Sequence, residues 1–306
     1  MFNIFLAGSR NPVDEISKEI GMNRLGSQIG ERHILEDYMK YRHENNTATK
    51  LLIDSGAYSI HRSGAEVNLQ DYIDYLNDHV GEFEGIAQLD EIPGKLGKPK
   101  TLKDYEVAAE KSWENYQYMV TKVIDYKKVM PIFHQGDPIK YLHLMLSYKH
   151  PDGTHIEYIG ISPANDQPIN SKNRWLDKVF NIIKKSENPN VKTHGFGYTS
   201  LKHLQRYPFY SADSTSWLMT AANGSIITKW GTIPASEMTK GDTNHVCHLI
   251  GEERKEFLAE CERYGITEEQ LATEYLKRME WNVKYLKEWS ENYEYKPSNH
   301  TQETLF

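Results

Sequence analysis

Short apolar runs recur along the chain, and longer amphipathic or polar stretches separate them. Such alternation indicates strands followed by helices, which together build a parallel sheet. Eight runs fit this description, and eight units favour a closed barrel over an open, doubly wound sheet. The predicted strands are Phe2–Ala7, Leu51–Ile53, Gly85–Leu89, Val129–Phe133, Ile156–Ile161, Lys192–Phe196, Phe209–Ala212 and Ile226–Trp230.

The stretches between these strands carry recognisable helix starts. Asn68 precedes a segment with apolar residues at helical spacing, and Thr101 with Asp104 opens a long amphipathic segment. Pro138 stands at another predicted start, where its missing N–H costs little. Strands and helices together predict a (β/α)₈ TIM barrel as the catalytic domain over residues 1–240.

After Gly241 the chain becomes rich in charged residues that favour helix. Thr267 with Gln270 forms a capping-box pattern before a long helical segment. An apolar stripe there either docks the segment on the barrel or forms a homodimer contact; it comprises Leu271, Tyr275, Met279, Val283, Leu286 and Trp289. We therefore predict a C-terminal helical extension packed on the barrel over residues 241–295, and a disordered tail over residues 296–306.

The composition is that of a globular protein, with 39% hydrophobic and 26% charged residues. A net charge of −7 argues against a chain that coats nucleic acid nonspecifically, but a local basic footprint stays open. Lys98, Lys100, Lys172 and Arg174 are the candidates for nucleic-acid contact. The sequence shows no secretion signal and no run of about 20 apolar residues, so we expect a cytoplasmic protein without a membrane partner.

The two cysteines, Cys247 and Cys261, are too few for a disulfide framework. Together with His245 and His248 they offer ligands of the kind that zinc prefers. Their spacing is irregular, and Cys261 falls within a predicted helix. We therefore expect no metal or other cofactor, with zinc at these four residues as the alternative.

In a barrel, functional residues collect at the carboxyl ends of the strands, where the loops to the helices begin. Polar residues and glycines follow six consecutive predicted strands. They include Asp54, Tyr58, Asp90, His134, Gln135, Gly160, Ile161, His194, Phe196 and Asp213. A single Asp after a strand is often a helix cap, and a single Gly is often a turn. Their coincidence on one rim nevertheless predicts a functional site.

Two carboxylates on one rim suit substitution at the anomeric carbon of a sugar. One attacks C1′ while the other manages protons, and the reaction passes through a covalent sugar–enzyme intermediate. A glutamine, a further aspartate and exposed backbone N–H groups suit recognition of a purine edge. Asp54 and Asp213 therefore predict a transglycosylase that exchanges bases.

Five segments resemble those of the tRNA-guanine transglycosylase superfamily, in matching order and spacing. They are LLIDSGAYS (51–59), AQLDE (87–91), FHQGD (133–137), YIGIS (158–162) and FYSADSTSW (209–217). DSGAYS (54–59), HGFGYTS (194–200) and YSADSTSW (210–217) are closer still to the shorter, mostly phage-borne branch of deazapurine DNA modification (DpdA-like) transglycosylases. The zinc module of the tRNA enzymes, CxCxxC with a distant His, is missing, which favours DNA over tRNA.

This resemblance implies an enzyme that exchanges guanine in DNA for a 7-deazaguanine base such as preQ0, with tRNA as the alternative polymer. It implies Asp213 as the nucleophile and Asp54 as the general acid/base. Base contacts are expected from Asp90, Gln135, Gly160, Ile161, Tyr58, Phe196, His134 and His194. The target nucleotide would be flipped out of the duplex, and a phage-encoded enzyme would act in the host cytoplasm.

Two departures from the superfamily pattern stand at the rim. Tyr58-Ser59 replaces Phe-Gln after the first motif, and Asp137 replaces the second Gly of VQGG.

A metal-dependent barrel hydrolase is an alternative function, with His134, His194 and an Asp as ligands. A nucleic-acid binder without catalytic activity is a further alternative, against which the presence of both candidate catalytic aspartates argues.

Overall fold

The structure, a computed structural model, describes residues 2–57, 61, 68–95, 97–164, 166–198 and 201–295, without the side chains of residues 202 and 203. Tyr58 and the predicted tail over residues 296–306 lie outside the described residues. The chain divides into two compact units. Unit 1 comprises Met1–Met22 with Ser214–Glu294, and unit 2 comprises Asn23–Asp213 with Tyr295–Phe306. The predicted domain boundary at residue 240 stays a prediction.

Strands and helices alternate through most of the chain. The strands are β1 (Asn3–Leu6), β2 (Asn23–Ser27), β3 (Leu51–Asp54), β4 (Gly85–Ala87), β5 (Val129–Met130), β6 (Ile132–His134), β7 (Tyr158–Ser162), β8 (Lys192–Gly195), β9 (Ser211–Ser214), β10 (Ser225–Thr228) and β11 (Gly231–Pro234). The helices are α1 (Val13–Glu19), α2 (Arg32–Asn45), α3 (Leu69–Asp78), α4 (Leu102–Lys122), α5 (Ile139–Ser147), α6 (Ile169–Lys185), α7 (Leu201–Leu204), α8 (Ser216–Ala222), α9 (Gly251–Tyr264), α10 (Glu268–Thr273) and α11 (Tyr275–Asn292).

The strands of unit 2 pair in parallel and in chain order. One run joins β2 to β5 and the other joins β6 to β9. Pro131 separates β5 from β6 because proline has no N–H for the ladder, yet its carbonyl accepts the N–H of Gly160 at 2.8 Å. Strand order that follows chain order is typical of a barrel, whereas a doubly wound sheet reverses its order.

Strands β2 to β9 belong to one sheet in unit 2, and β10 with β11 forms a separate sheet in unit 1. The predicted α/β class with a parallel, barrel-like sheet is therefore confirmed, as are helices after residue 241. Among the described helices, none has both the length and the apolar character that crossing a membrane requires.

The structure differs from the predicted strands in two places. Strand β2 was missed because its sequence NRLGS has a single large apolar residue, Leu25, and so lacks an apolar run. The predicted last barrel strand, Ile226–Trp230, overlaps β10, which pairs antiparallel with β11 in a hairpin of unit 1. A short apolar run fits a buried barrel strand and a packed hairpin equally well, because both bury the same side chains.

Side-chain caps fix the helix starts that the sequence predicted. Asn68 caps α3, and Thr101 with Asp104 forms a full capping box on α4. Thr267 with Gln270 forms a second box, but on the short helix α10. The single long helix predicted here is in fact two, because Glu274 adopts an extended backbone (φ −114°, ψ 108°) between α10 and α11.

In unit 1, the hairpin and the C-terminal helices share an apolar core. Its members include Ile226, Ile233, Val246, Phe257, Ile266, Leu271 and Trp281. Buried Asn282 on α11 crosslinks this unit, since it accepts the N–H of Ile227 at 2.7 Å and donates to the carbonyl of Trp217 at 2.9 Å. Most of the predicted stripe is buried within the unit, whereas Tyr275 is 39% exposed. A homodimer contact stays a prediction.

We predict that Asn282→Ala lowers the free energy of unfolding by about 2–4 kcal/mol, because it leaves two buried backbone groups without a partner. Asn292→Ala is the matched control, since Asn292 lies exposed on the same helix and donates to the carbonyl of Glu288. Denaturant titration of both variants measures the difference. Equal effects of the two substitutions would contradict the crosslinking role.

Candidate active site

Three predicted site residues, Asp54, Asp90 and Asp213, form one cluster in unit 2. Asp54 ends β3, Asp90 follows β4, and Asp213 lies in β9. Burial, and after it the negative charges of Asp90 and Asp213, raise the pKa of Asp54 to about 7. Because the charges of Asp90 and Asp213 both act on Asp54, the fold brings together three residues that are far apart in sequence.

The turn after β3 shapes the surroundings of Asp54. The backbone N–H groups of Gly56 and Ser55 bond to its carboxylate, which partly offsets the effect of burial. Gly56 has φ +74°, and a Cβ there would lie 2.7 Å from side-chain atoms of Ile29 and Ser27. The glycine of the DSGA motif is therefore required both by the backbone conformation and by the space available.

Asp90 belongs to a bonded group with Gln88, His134 and Asp137. Gln88 donates its amide N–H to Asp90 Oδ1 at 2.7 Å, and His134 Nε2 lies 3.3 Å from Asp90 Oδ2. The other ring nitrogen of His134 lies 3.4 Å from Asp137 Oδ2. Burial disfavours the imidazolium, but the two carboxylates outweigh it, and the pKa of His134 rises well above its usual 6.5. A cation between two carboxylates results.

Asp137 makes two contacts with His134. Its carboxylate accepts the backbone N–H of His134 at 2.8 Å, in addition to facing the imidazole of that residue. A glycine at this position would provide neither contact. His134 and Asp137 therefore form one unit beside Asp90.

Asp213 is almost fully buried, and two nitrogen atoms lie close to its Oδ2 atom. His194 Nε2 lies 2.9 Å away, and the backbone N–H of Gly197 donates at 3.2 Å. No described residue donates to Oδ1. Asp213 therefore has an imidazole ring beside it, whereas Asp54 has the negative charges of two other aspartates nearby.

The remaining predicted base contacts take part in packing and loop order. Gln135 accepts the N–H of Ala164 at 3.1 Å, which ties it to the loop after β7. A Cβ on Gly160 would lie 2.5 Å from the Phe196 ring, so this glycine makes room for that ring. The carbonyl of Ile161 accepts the N–H of Phe196 at 3.0 Å, and the Ile161 side chain is fully buried.

His194 is fully buried, unlike the partly exposed His134. Its ring lies edge-on to Phe196, with centroids 4.5 Å apart. Its Nε2 faces Asp213, and its Nδ1 lies 2.5 Å from Ser211 Oγ. The structure therefore directs both nitrogens of His194 to protein groups.

The predicted basic residues lie on two segments, one after β4 and one after β7. Lys98 and Lys100 follow β4, whereas Lys172 and Arg174 stand in the first turns of α6, after β7. Strands β4 and β7 flank the interrupted strand formed by β5 and β6. Lys98, Lys100 and Arg174 are exposed, and Lys172 is partly buried.

The four candidate zinc ligands do not form a metal-binding cluster in the structure. No group of three or more His, Cys, Asp or Glu side chains suited to a metal occurs within the described ranges. Both ring nitrogens of His245 bond to backbone groups, of Cys247 and Ser236, and His248 bonds to the carbonyl of Lys240. Burial raises the pKa of the Cys261 thiol to about 11, which disfavours the thiolate that zinc requires.

Sequence reasoning missed Gln88, Ser211 and Tyr158 as members of the site. Side chains two positions apart in a strand point to the same face. Gln88 stands two residues before Asp90, and Ser211 two residues before Asp213. A polar residue two positions before a candidate carboxylate is the sequence pattern that could have identified Gln88 and Ser211.

Comparison with known proteins leaves the site to be interpreted from its own geometry. No protein family matches the chain. No curated protein matches it either.

We predict that Asp54→Asn changes how stability depends on pH. The pKa of Asp54 is raised in the folded protein from 3.8 to about 7, so the folded state holds the proton more tightly and loses stability as pH rises through that window. Asp54→Asn removes this loss. Its free energy of unfolding should therefore gain on that of the wild type between about pH 4 and 7, by on the order of 2–4 kcal/mol.

Denaturant titrations across this pH range measure the gain. Asp78→Asn is the control, since Asp78 is an exposed aspartate at the end of α3. A difference between Asp54→Asn and the wild type that stays constant with pH would show that Asp54 titrates normally.

Proposed function

We propose that the protein is a TIM-barrel transglycosylase that exchanges guanine in DNA for a 7-deazaguanine base such as preQ0. One observation carries the proposal: two carboxylates in one cluster have different neighbours. Burial and two negative charges raise the pKa of Asp54 to about 7, which makes it available as an acid, whereas Oδ2 of Asp213 lies beside the His194 ring and the backbone N–H of Gly197. Unequal carboxylates of this kind suit a nucleophile paired with an acid/base.

In the first step, Asp213 Oδ1 attacks C1′ of the flipped nucleotide. The bond from C1′ to N9 breaks, and its electron pair goes to the departing guanine. Protonated Asp54 gives its proton to that base, so guanine leaves as a neutral molecule. The sugar is now esterified to Asp213, and Asp54 is ionised.

In the second step, N9 of the incoming base attacks C1′ from the face that guanine left. Its N–H proton goes to the Asp54 carboxylate, and the electron pair of the ester bond returns to Asp213. The enzyme regains its starting protonation state, so no proton is consumed overall. Two inversions at C1′ give net retention of configuration.

Asp90 is the residue that we propose reads the purine edge. Guanine and its 7-deaza analogues present an N1–H and a 2-amino group, which need acceptors. The Asp90 carboxylate supplies these acceptors, while Gln88 and His134 fix its orientation. Phe196, a partly exposed ring that packs against His194, offers an apolar surface to the base, and the proposed role of Tyr58 remains a prediction.

DNA is the preferred polymer because of the resemblance to the phage-type branch and the missing zinc module. Exposed Lys98, Lys100 and Arg174 on segments after neighbouring strands offer cations for the phosphates beside the flipped nucleotide. The same base chemistry applies to tRNA, so the polymer has to be tested separately.

The deciding experiment incubates the protein with preQ0 and either guanine-containing DNA or tRNA, followed by nucleoside mass spectrometry. We expect the 7-deazaguanine nucleoside in DNA. Asp213→Asn should lower exchange by roughly 10³-fold or more and abolish the denaturation-resistant protein–DNA adduct. Full exchange by Asp213→Asn would overturn the mechanism, and modification of tRNA alone would replace DNA as the substrate.

Lys98→Ala combined with Lys100→Ala should weaken DNA binding and reduce the slope of log K against log salt by about 2, because each lysine neutralises one phosphate. Fluorescence anisotropy over a salt series measures the slope. Lys40→Ala is the control, an exposed lysine on α2. An unchanged slope in the double variant would remove these lysines from the interface.

A further inference from the structure

A chain of buried polar groups runs from Tyr158 to Asp213. The Tyr158 hydroxyl bonds to Ser211 Oγ, and Ser211 Oγ lies 2.5 Å from His194 Nδ1. His194 Nε2 then lies 2.9 Å from Asp213 Oδ2. His194 and Ser211 are fully buried, and Tyr158 is 4% exposed. Burying four polar groups in one row is costly unless each has a partner, so the direction of every hydrogen bond matters.

Only one arrangement of protons satisfies the whole chain. If Tyr158 donates to Ser211 and Ser211 donates to His194 Nδ1, then the imidazole is neutral and its Nε2–H donates to Asp213. In the opposite direction, an imidazolium would donate to Ser211 and Ser211 to Tyr158. The Tyr158 proton would then point away from the two groups that its hydroxyl contacts, Ser211 Oγ and His194 Nδ1. A buried hydroxyl without an acceptor disfavours that direction.

We infer that His194 is a positioning residue: Tyr158 and Ser211 hold it as a neutral imidazole whose Nε2–H fixes Oδ2 of Asp213 and leaves Oδ1 for attack. This inference rests on the proposed function, in which Asp213 is the nucleophile. It replaces the expected role of His194 in binding the base. Gly197 supplies the second N–H to the same oxygen.

Two N–H groups on Oδ2 also affect the covalent intermediate. Hydrogen bonds to a carboxylate are stronger than those to the carbonyl of an ester. The donors therefore stabilise ionised Asp213 more than its sugar ester, and they favour the second step, in which the ester bond breaks and the carboxylate returns. Losing one donor should slow that step and let the ester accumulate.

The proton arrangement can be tested without any activity. In nitrogen NMR of the full chain with labelled histidine at pH 7.5, the signals lost in His194→Phe identify His194. We expect a protonated Nε2 and a bare Nδ1 whose shift changes in Ser211→Ala. A protonated Nδ1 would overturn the inference, even if the protein proves not to be a transglycosylase.

The kinetic test compares variants under base exchange. His194→Phe keeps a ring in the buried site and removes both nitrogens; we expect kcat to fall at least about tenfold while the trapped adduct fraction rises. His194→Gln restores an N–H donor and should recover part of kcat. A purely structural defect would instead lower exchange and adduct together, and that outcome would overturn the inference.

The upstream groups have a matched control. Tyr158→Phe should lower kcat, whereas Tyr116→Phe should not, because the Tyr116 hydroxyl is buried without a hydrogen-bond partner among the described residues. Failure of the two proposals can be told apart. If Asp213→Asn exchanges bases fully, the proposed function fails. If the wild type exchanges, Asp213→Asn does not, and His194→Phe retains normal kcat and adduct, only the inference fails.

Discussion

Repulsion among three carboxylates in one pocket is the constraint on which the rest of the site depends. Like charges in a poorly hydrated space cannot all ionise at low cost. The structure meets this constraint by giving each aspartate different neighbours. The pKa of Asp54 is raised to about 7, Asp90 faces the His134 imidazolium, and Asp213 lies beside the His194 ring and the backbone N–H of Gly197. This arrangement gives the aspartates different chemical surroundings, as the proposed reaction requires.

A layer of polar side chains below the rim keeps that arrangement fixed. Gln88 and Ser211 each stand two residues before an aspartate of the cluster, and Ser211 shares a face of β9 with Asp213. Gln88 bonds Asp90 directly, whereas Ser211 acts on Asp213 through His194. The interior of the sheet thus contributes orientation as well as packing, because Gln88 and Ser211 help to orient Asp90 and Asp213.

Glycines in the predicted motifs serve the protein's own packing. Gly56 allows the sharp turn that brings backbone N–H groups to Asp54, and Gly160 leaves space for the Phe196 ring. In the sequence, both glycines fit equally well with close approach of a flat base. Only the neighbouring side chains, which come from other parts of the chain, distinguish internal packing from close approach of a base.

The sequence by itself determined the α/β class, seven of the eight predicted strands, the helix caps and the positions of Asp54, Asp90 and Asp213 at or just after strand ends. These features follow from local periodicity and capping, which short segments encode. Only the tertiary structure decided that residues 226–228 form a hairpin, that Asn23–Ser27 is a strand, and that His194 lies under Asp213. It also decided the protonation of Asp54, because burial and the charges of Asp90 and Asp213 act through space between segments that are distant in sequence.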